Sequence, residues 1–543
     1  GRPFGDPDEA DSDKKSDDES PHTAVDIDGI ADRVVAFPVP AARYSGLLAA
    51  KGGVLWSRDP LTGSIGDDLD EDEPRSLLER YDLVKLKAET LVDAVDEVWA
   101  SGDGQRVVVR DGRALRVLPA DRKADSDDNS DDNVRVDLGR VRVHVDPAAE
   151  WRQAFDEAGR LMRDHFWRAD MGGVDWQGVL ARYRPLVDTL GSHDELIDLL
   201  WEVQGELGTS HAYAIAPAGY VDYKRRQGLL GADLRRDDDG VWRITDVVPG
   251  ETSDPKARSP LRAPGVAVRV GDAIVAVDGT SVDSLRGPAP LLVGAADNPV
   301  ELTIAPKGGG ATRRVVVVPL LDDVALRYQA WVANRRAHVH AATDGKVGYL
   351  HVPDMVANGW AQLHRDLRLE LRREGLIVDL RENRGGHLSQ LVIEKLSRKI
   401  VGWGVARDGY SLETYPADAP RGPVVAVADE FSGSDGDIVN AAIRALGIGP
   451  IVGTRTWGGV IGMDMKYHLV DGTLVTQPRY ATWMQGPGWG LENHGVEPDV
   501  EVVMTPEDHV GGVDPQLDTA VRLAMESLAE RPAATSPRLP PLP

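Results

Sequence analysis

A turn between a strand and a helix is encoded by the stretch FSGSDGDIV, residues 431–439. The apolar run Val424–Ala428 before it predicts a buried strand, and the amphipathic run Ile438–Leu446 after it predicts a helix. A serine in such a glycine-flanked turn can expose its Oγ beside the free amides of the helix, where an oxyanion could be stabilised. Ser434 is therefore a candidate nucleophile, and the alternative is that it only caps the helix.

The composition sets limits on the class of protein. A chain of 543 residues is long enough for roughly three to four domains. Its net charge of −26 argues against a nucleic-acid partner, because phosphates carry charge of the same sign. The absence of cysteine excludes disulfides, thiolate catalysis and zinc–thiolate sites, and fits an intracellular protein. The sequence contains no recognisable signal peptide and no apolar run long enough to span a bilayer.

The first part of the chain predicts an incomplete set of β-propeller blades. Residues 1–24 are polar and charged, so we expect them to be disordered. Residues 25–140 carry short strands, and turns typical of hairpins separate the later ones. Two blades cannot close a propeller, so this region is either part of one or a small sheet packed on something else. The predicted strands are Arg33–Val39, Gly46–Ala50, Gly53–Trp56, Arg80–Leu86, Glu97–Ser101, Arg106–Arg110 and Ala114–Leu118.

Residues 141–222 predict a small helical domain. Apolar side chains recur there at a spacing near 3.6 residues, which is typical of helices with one buried face. Asp146-Pro147 can start the first helix. The motif SHDE at residues 192–195 is a capping box that can start the third helix, which ends at Gly208.

Residues 223–320 return to short strands and resemble a PDZ domain. The resemblance rests on the run GDAIVAVDG at residues 271–279, with flexible glycines earlier in GLLGADL at residues 228–234. PDZ domains capture an extended peptide by adding it to a sheet as a strand. The alternative is a spacer whose groove binds nothing.

Residues 321–530 predict an α/β domain. Buried strands are expected at Val347–Val352 and Gly375–Leu380, and helices at Trp360–Arg373 and Gln390–Leu396. Further strands are expected at Ile451–Gly453 and Leu474–Thr476. Residues 531–543 are rich in proline, and we expect a disordered tail.

Several residues could assist a serine nucleophile. His211 differs from most of the 13 histidines because it directly follows a helix end, beside Ser210. Glu492 lies in an irregular loop, where an exposed and inactive carboxylate is the alternative. Gly385 and Gly386 follow a strand and could bring backbone amides close to a ligand because they lack a Cβ.

Together, these motifs resemble the tricorn protease family over residues 25–530. The shared motifs are GTSH at 208–211, DLRENRGG at 379–386, SGSDGD at 432–437 and ENHGVEPD at 492–499, with a PDZ-like insert. The resemblance implies a multidomain α+β and α/β protein, whose catalytic domain has the ClpP/crotonase-like fold of C-terminal processing peptidases. The family carries two full propellers, and at most the last blade or two are encoded here.

The resemblance implies a role for each matching residue. Ser434 would be the nucleophile, His211 the general base, and Ser210 and Glu492 the groups that orient His211. This tetrad would take the place of a standard Ser-His-Asp triad.

The resemblance also implies an oxyanion hole and a substrate preference. The amide of Asp435, with that of Gly386, would bind the oxyanion, and Gly385 is a second candidate for the glycine amide. The Asp435 side chain would face the first substrate pocket and favour Lys or Arg there.

A related family, the C-terminal processing peptidases, uses a Ser–Lys dyad instead. Their lysine would fall at Gly459 here, and no lysine lies between Ser434 and Lys466. A buried lysine base is therefore excluded by the sequence, which favours the Ser–His–Glu interpretation.

The expected function is hydrolysis of short unfolded oligopeptides through an acyl-enzyme, without metal or other cofactor. The resemblance implies a cytoplasmic homo-hexamer that releases small peptides downstream of the proteasome, with aminopeptidases possible on its products. We expect no nucleic-acid and no membrane partner. The alternative is a catalytically dead scaffold that binds peptides through its PDZ-like domain.

Overall fold

The computed structural model forms two compact units, residues 1–142 and 143–543. Residues 1–24, for which the sequence predicts disorder, lie outside the described residues. The structure describes residues 27–33, 37–60, 75–124, 129–217, 225–251, 257–405 and 412–539.

The described strands of the first unit form two antiparallel sheets, as expected for incomplete propeller blades. Buried Leu55, Leu78 and Val107 contribute to one shared apolar core. The first sheet has the order β1-β2-β3-β4 and consists of β1 (Arg43–Ala50), β2 (Gly53–Asp59), β3 (Ser76–Asp82) and β4 (Lys87–Val95). The second has the order β5-β6-β7-β9-β8 and consists of β5 (Glu97–Ala100), β6 (Arg106–Asp111), β7 (Ala114–Pro119), β8 (Asn129–Ser130) and β9 (Asn133–Val136).

Two predicted strands of this unit differ from the structure. The prediction for Arg80–Leu86 is wrong at its end, because Asp82 Oδ1 accepts the amides of Val84 and Lys85, each at 2.8 Å. This carboxylate turns the chain into β4, which the sequence pattern did not predict. The predicted strand Arg33–Val39 begins at the end of a 3₁₀ helix, and its central residues lie outside the described part.

Three helices follow within the described residues 147–205: α1 (Pro147–His165), α2 (Trp176–Tyr183) and α3 (His193–Gly205). Asp146 caps α1 by accepting the amides of Ala148 and Ala149, and Ser192 caps α3. The predicted apolar faces are buried together in one cluster that contains Phe155, Met162, Leu196 and Leu200.

The helical segment packs directly on a later part of the same unit. Leu469 and Val475 belong to its apolar cluster. Strand β10 (Ala214–Ile215) pairs antiparallel with Leu474–Val475, and Thr476 Oγ1 donates to His211 O at 2.6 Å. These contacts fix the segment around His211 against the α/β domain.

The PDZ-like segment forms a six-stranded antiparallel sheet around its own apolar core. The run at residues 271–279 forms a strand followed by a turn in which Asp278 and Gly279 have positive φ, the backbone that a two-residue hairpin needs. The strands are β11 (Ala232–Arg236), β12 (Trp242–Val247), β13 (Ala273–Val277), β14 (Thr280–Ser281), β15 (Val300–Ala305) and β16 (Arg313–Val317).

A central parallel sheet organises the α/β domain. Its described strands have the order β17-β18-β21-β22-β26: β17 (Val347–His351), β18 (Gly375–Asp379), β21 (Val424–Ala428), β22 (Ile451–Gly453) and β26 (Val500–Glu501). The short strands outside it are β19 (Gly402–Val405), β20 (Leu412–Tyr415), β23 (Gly462–Asp464), β24 (Leu474–Val475) and β25 (Gln477–Tyr480). The predicted strands at 347–352, 375–380 and 451–453 are thereby confirmed to within one residue.

Helices cover both faces of this sheet, which explains its almost continuous apolar runs. One face packs on α5 (Ala357–Glu370), α6 (Ser389–Leu396) and α7 (Asp435–Ala445). The other packs on α4 (Val324–Ala342) and α9 (Pro515–Glu530), with the short α8 (Pro506–Gly511) preceding α9. The sequence did not predict α4. The stretch at 431–439 leaves the carboxyl end of β21, where parallel sheets commonly bind ligands.

A buried ion pair supports this end of the sheet. Asp379 is fully buried at the end of β18, and Arg381 Nη2 donates to its Oδ2 at 2.6 Å. Arg381 also donates to Asp514 at 2.9 and 3.0 Å. Burial by itself would raise the pKa of Asp379, but the charge and hydrogen bonds of Arg381 outweigh it and lower the pKa to about 2.

The Asp379→Asn variant should lower the free energy of unfolding of the α/β domain by about 3–5 kcal/mol at pH 7, because it removes the fully buried carboxylate that neutralises Arg381 and leaves only the more exposed Asp514 as its ion-pair partner. In the wild type, the pairing stabilises the fold above the ordinary aspartate pKa of about 3.9, and this contribution is lost as the pH falls toward 2. Urea unfolding at several pH values measures both effects.

Asp514→Asn is the matched control, because an asparagine can still cap α9 and the Asp379–Arg381 pair stays intact. We expect Asp514→Asn to lower the free energy of unfolding by less than Asp379→Asn does. Equal losses of unfolding free energy in the two variants would contradict the larger contribution assigned to the Asp379–Arg381 pair.

Candidate active site

Ser434 lies in a strained turn between β21 and α7. It directly precedes the helix and has φ 58° and ψ −117°, a positive-φ conformation that costs a residue with a side chain about 1–3 kcal/mol. Its side chain makes no capping hydrogen bond with α7. Ser434 therefore occupies the cap position without the side-chain hydrogen bond of an ordinary helix cap, and its Oγ is not engaged with the helix.

Hydrogen bonds to the loop after β18 hold this turn in place. Ser432 Oγ donates to Leu380 O at 2.8 Å, and Gly433 N donates to Asn383 O at 2.9 Å. Two neighbouring loops at the carboxyl edge of the sheet are thus tied together. This is the kind of surrounding structure that keeps a strained backbone in place.

The two glycines of the second loop use their amides differently. Gly385 N donates to Asn383 Oδ1 at 3.0 Å, and a Cβ on Gly385 would lie 2.6 Å from Ser434 Cβ. Gly386 N and Asp435 N make no hydrogen bond within the described residues. Gly385 is thus required for the close approach of the loop to Ser434, whereas Gly386 keeps its amide available.

His211 follows α3 and is 7% exposed, with a positive φ of 60°. Its Nδ1 lies 3.1 Å from Ser210 Oγ. Ser210 Oγ in turn lies 3.1 Å from Glu492 Oε2 and 3.3 Å from the amide of Ile461. The imidazole, the hydroxyl and the carboxylate therefore form a continuous chain of hydrogen bonds.

The single hydroxyl proton of Ser210 fixes the tautomer of His211. A carboxylate only accepts hydrogen bonds, so the proton of Ser210 Oγ must point to Glu492. Ser210 Oγ then accepts from the Ile461 amide and from His211 Nδ1. A neutral His211 with its proton on Nδ1 has its lone pair on Nε2, which makes Nε2 the basic atom.

Glu492 is the point at which three segments meet. Its carboxylate accepts the amide of Ser210 at 2.7 Å and the amides of Val460 and Ile461 at 2.7 and 3.2 Å. Thr209 Oγ1 lies 3.5 Å away. The interpretation of Glu492 as an exposed loop residue is wrong, because its carboxylate is held by donors from the helical segment and from the α/β domain.

The surroundings of His211 favour its neutral form. Burial lowers its pKa below the ordinary value, and the negative charge of Glu492 opposes this shift only in part. A neutral imidazole is the form that can accept a proton from a serine.

Trp457 connects the segment of His211 with the turn of Ser434. Its ring meets the His211 ring edge-on, with centroids 5.6 Å apart, and its Cε3 lies 2.8 Å from the position that a Cβ on Gly433 would take. The hydrogen bonds among the described residues include none between His211 and Ser434. Sequence reasoning did not single out Trp457, since a tryptophan in a loop carries no catalytic pattern.

Buried Asp437 holds the loop of Trp457. Its carboxylate accepts the amides of Gly458 at 2.8 Å and Gly459 at 3.2 Å, and the hydroxyl of Thr456. Burial raises its pKa, and these hydrogen bonds oppose the shift. Gly459, where the dyad lysine of C-terminal processing peptidases would fall, serves here as a backbone donor.

The Asp435 side chain does not extend into open space. It is 7% exposed, and its two oxygens accept the amide of Ser389 at 3.0 Å and the hydroxyl of Ser389 at 2.7 Å. In this arrangement, the carboxylate that we expected to face a substrate pocket lies at the start of α6.

Other classes of site find no support in the described residues. Lys466, the first lysine after Ser434, is 68% exposed and pairs with Asp464. No group of three or more potential ligands could hold a metal ion in the described part of the chain. No helix among those described is long and apolar enough to cross a membrane.

Family models match three segments of the chain. The tricorn protease C1 domain matches residues 147–205, the tricorn protease PDZ domain residues 228–322, and peptidase family S41 residues 346–502. The C1 match covers the three helices described above, and the S41 match contains both Ser434 and Glu492.

Whole-chain comparisons lead to the same proteins. The chain is 63% identical to tricorn protease homolog 1 of Streptomyces coelicolor over 99% of its length and 50% of the relative. It is 31% identical to tricorn protease of Thermoplasma acidophilum over 93% of its length and 46% of the relative. A crystal structure of the tricorn protease matches 90% of this chain and 46% of that chain, with a TM-score of 0.81 and 32% identity. The chain therefore spans about half the length of these relatives.

The Glu492→Gln variant should lower the pKa of His211 further, because it removes the negative charge that opposes the effect of burial. NMR titration of chains with isotope-labelled histidine measures this pKa, and a His211→Gln variant identifies the signal. Glu497→Gln is the control, since its carboxylate contacts Arg455 and His494 instead. A rise in the pKa of His211 on removal of the Glu492 charge would contradict the assigned geometry.

Proposed function

Because this chain belongs to the tricorn protease family, whose C1, PDZ and S41 peptidase domains it carries, we propose that it is a serine peptidase that hydrolyses short unfolded oligopeptides. The observation that carries the proposal is the hydrogen-bonded chain from His211 through Ser210 to Glu492. A buried, neutral imidazole whose Nδ1 is held by a hydrogen bond is what a serine nucleophile needs as its base.

The proposed reaction proceeds through an acyl-enzyme. Ser434 Oγ attacks the carbonyl carbon of the scissile bond while His211 Nε2 takes its proton. The C–N bond then breaks, and His211 gives the proton to the leaving amine. Water, deprotonated by the same imidazole, hydrolyses the ester and restores the serine.

Ser210 and Glu492 act on the base rather than on the substrate. Glu492 stabilises the imidazolium that forms during the reaction, through the hydroxyl of Ser210 and through its own charge. This is the part of the aspartate in a Ser-His-Asp triad. The proposed tetrad is Ser434, His211, Ser210 and Glu492.

The proposed oxyanion hole uses the amides of Asp435 and Gly386. Both amides are without partners among the described residues, and that of Asp435 directly follows Ser434 at the start of α7. Amides at a helix start carry partial positive charge, which suits a developing oxyanion. Gly385 is less suitable, because its amide already donates to Asn383.

The described hydrogen bonds include none between His211 Nε2 and Ser434 Oγ, and Trp457 lies against both segments. Catalytic hydrogen bonds in enzymes without substrate are often long and tighten only in the complex. We propose that a small shift of the Trp457 loop accompanies peptide binding and brings the base to the nucleophile.

We also propose that basic residues are preferred at the first substrate pocket, through the negative charge of Asp435. Its carboxylate would have to leave Ser389 or act across it. Assembly into a homo-hexamer, a cytoplasmic location, peptides from the proteasome as substrates and aminopeptidases acting on the products are further proposals. They rest on family membership alone.

The Ser434→Ala variant should lower kcat/KM for a peptide amide with Arg before the cleaved bond by at least about 10⁴-fold, because the nucleophile is removed. Hydrolysis is followed by fluorescence, and circular dichroism checks that the variant folds. Ser397→Ala, in the same domain, is the control and should behave as the wild type. Unchanged turnover by Ser434→Ala would overturn the proposal and favour a peptide-binding scaffold.

The Asp435→Asn variant should reduce the preference for Arg over Leu at the cleavage site by about tenfold, or about 1.4 kcal/mol, because it removes the negative charge but keeps the amide. The ratio of kcat/KM values for paired peptides measures this. Ser389→Ala keeps the charge and frees one carboxylate oxygen, so it should retain the preference. A constant ratio in Asp435→Asn would place the selectivity on other residues.

A further inference from the structure

Asp437 is a fully buried carboxylate in the first turn of α7, the helix that begins directly after Ser434. It is not one of the reacting groups. Burial raises its pKa, and the amide of Ser434 is among the backbone groups whose hydrogen bonding opposes that shift. A carboxylate at this position of a helix commonly turns back to the residue that precedes the helix. Asp437 is therefore tied to the turn of the nucleophile.

The same carboxylate holds the start of the loop of residues 456–461. It accepts the hydroxyl of Thr456 and the amides of Gly458 and Gly459, at 2.8 and 3.2 Å. Thr456 Oγ1 also accepts the amide of Val496 at 2.8 Å, so its only proton points to Asp437. All of these partners donate. An ionised carboxylate can accept from every one of them, whereas a carboxamide would present a donor to at least one.

The end of this loop is held by Glu492. The two amides that follow Gly459 donate to Glu492 Oε2 at 2.7 and 3.2 Å. Gly458 O accepts the amide of Asn493, the residue next to Glu492, at 2.7 Å. The loop therefore joins the carboxylate of Asp437 to the carboxylate that orients Ser210.

The residues of this loop are packed so closely that they must move together. A Cβ on Gly458 would lie 2.5 Å from the amide nitrogen of Gly495, and a Cβ on Gly459 would lie 2.2 Å from the ring of Trp457. Close-packed interiors have low compressibility and transmit strain. A displacement at the start of the loop would therefore reach the amides that bind Glu492.

We propose that Asp437 is a positioning residue of the peptidase reaction, which sets the distance between the turn of Ser434 and the hydrogen-bonded chain that ends at His211. This inference rests on the proposed peptidase function. On one side, the carboxylate belongs to the helix that starts after the nucleophile. On the other side, it holds the loop that fixes Glu492. The nucleophile and its base come from different segments, so their separation depends on contacts of this kind.

A purely structural role for Asp437 predicts a different result. A carboxylate that only stabilised the fold would change the free energy of unfolding but not the kcat of the folded enzyme. A positioning residue changes kcat in a fully folded chain. It leaves KM almost unchanged, because it does not touch the substrate. The two roles are therefore separated by kinetics measured well below the unfolding temperature.

The experiment uses the full chain and the Asp437→Asn variant, with circular dichroism and thermal unfolding to verify the fold. For a peptide amide with Arg before the cleaved bond, kcat should fall about 100-fold and KM should change by less than about twofold. The rate of labelling by a fluorophosphonate, which reports on the reactivity of the serine without a peptide, should fall by a similar factor. A wild-type kcat or a wild-type labelling rate in the folded variant overturns the inference.

Asp366→Asn is the matched control. Asp366 is also a buried carboxylate of the α/β domain, and it pairs with Arg336 and accepts from Gln362 at 2.8 Å. The variant should lower the free energy of unfolding, because it weakens a buried ion pair. Its kcat and its labelling rate should be those of the wild type.

A second variant tests the loop if Asp437→Asn does not fold. Thr456→Val keeps the shape of the side chain but removes the hydroxyl that donates to Asp437. Its kcat should fall about tenfold, and Thr456→Ser, which keeps the hydroxyl, should recover most of the loss. A wild-type kcat in Thr456→Val contradicts the proposed role of the contact.

The outcomes separate this inference from the function on which it rests. If the wild type neither hydrolyses the peptide nor is labelled at Ser434, the proposed peptidase function fails and the positioning role fails with it. If hydrolysis depends on Ser434 but folded Asp437→Asn and Thr456→Val have the wild-type kcat, only the positioning role fails.

Discussion

The candidate site depends on one carboxylate that joins two parts of the chain. Glu492 accepts the amide and the hydroxyl of Ser210 from the helical segment, and the amides of Val460 and Ile461 from the α/β domain. Without these contacts, the proton of Ser210 would have no fixed direction and His211 no defined tautomer. A single half-buried carboxylate thus orders the docking of the segments and the hydrogen bonds of Ser210 that leave Nε2 as the basic atom.

The nucleophile side depends on a different constraint, the close approach of two loops at the edge of the parallel sheet. Gly385 lies so near Ser434 that a side chain would not fit, and Ser432 and Gly433 bond to the same loop. Below them, the Asp379–Arg381 pair joins the end of β18 to Asp514 before α9. The neighbouring loop and the ion pair below it, rather than the turn alone, therefore hold the strained backbone of Ser434 in place.

Much of the architecture followed from local patterns. The apolar runs at Val347, Gly375, Val424 and Ile451 became the buried strands of the sheet, because a strand covered on both faces must be apolar along its whole length. Asp146-Pro147 and Ser192 marked helix starts through capping. The strand expected to continue past Asp82 did not, because a side-chain hydrogen bond outweighed the apolar pattern of Leu83 and Val84.

The sequence by itself determined the residue types of the candidate site: a serine in a turn, a histidine beside a serine, a loop glutamate and a pair of glycines. Tertiary structure alone decided that Gly385 donates its amide to Asn383, that Asp435 accepts hydrogen bonds from Ser389, and that Trp457 lies against His211. The physical reason is distance along the chain. Periodicity and turn signals report neighbours within a few residues, whereas Ser210 and Glu492 are 282 residues apart and meet only when the helical segment docks on the sheet.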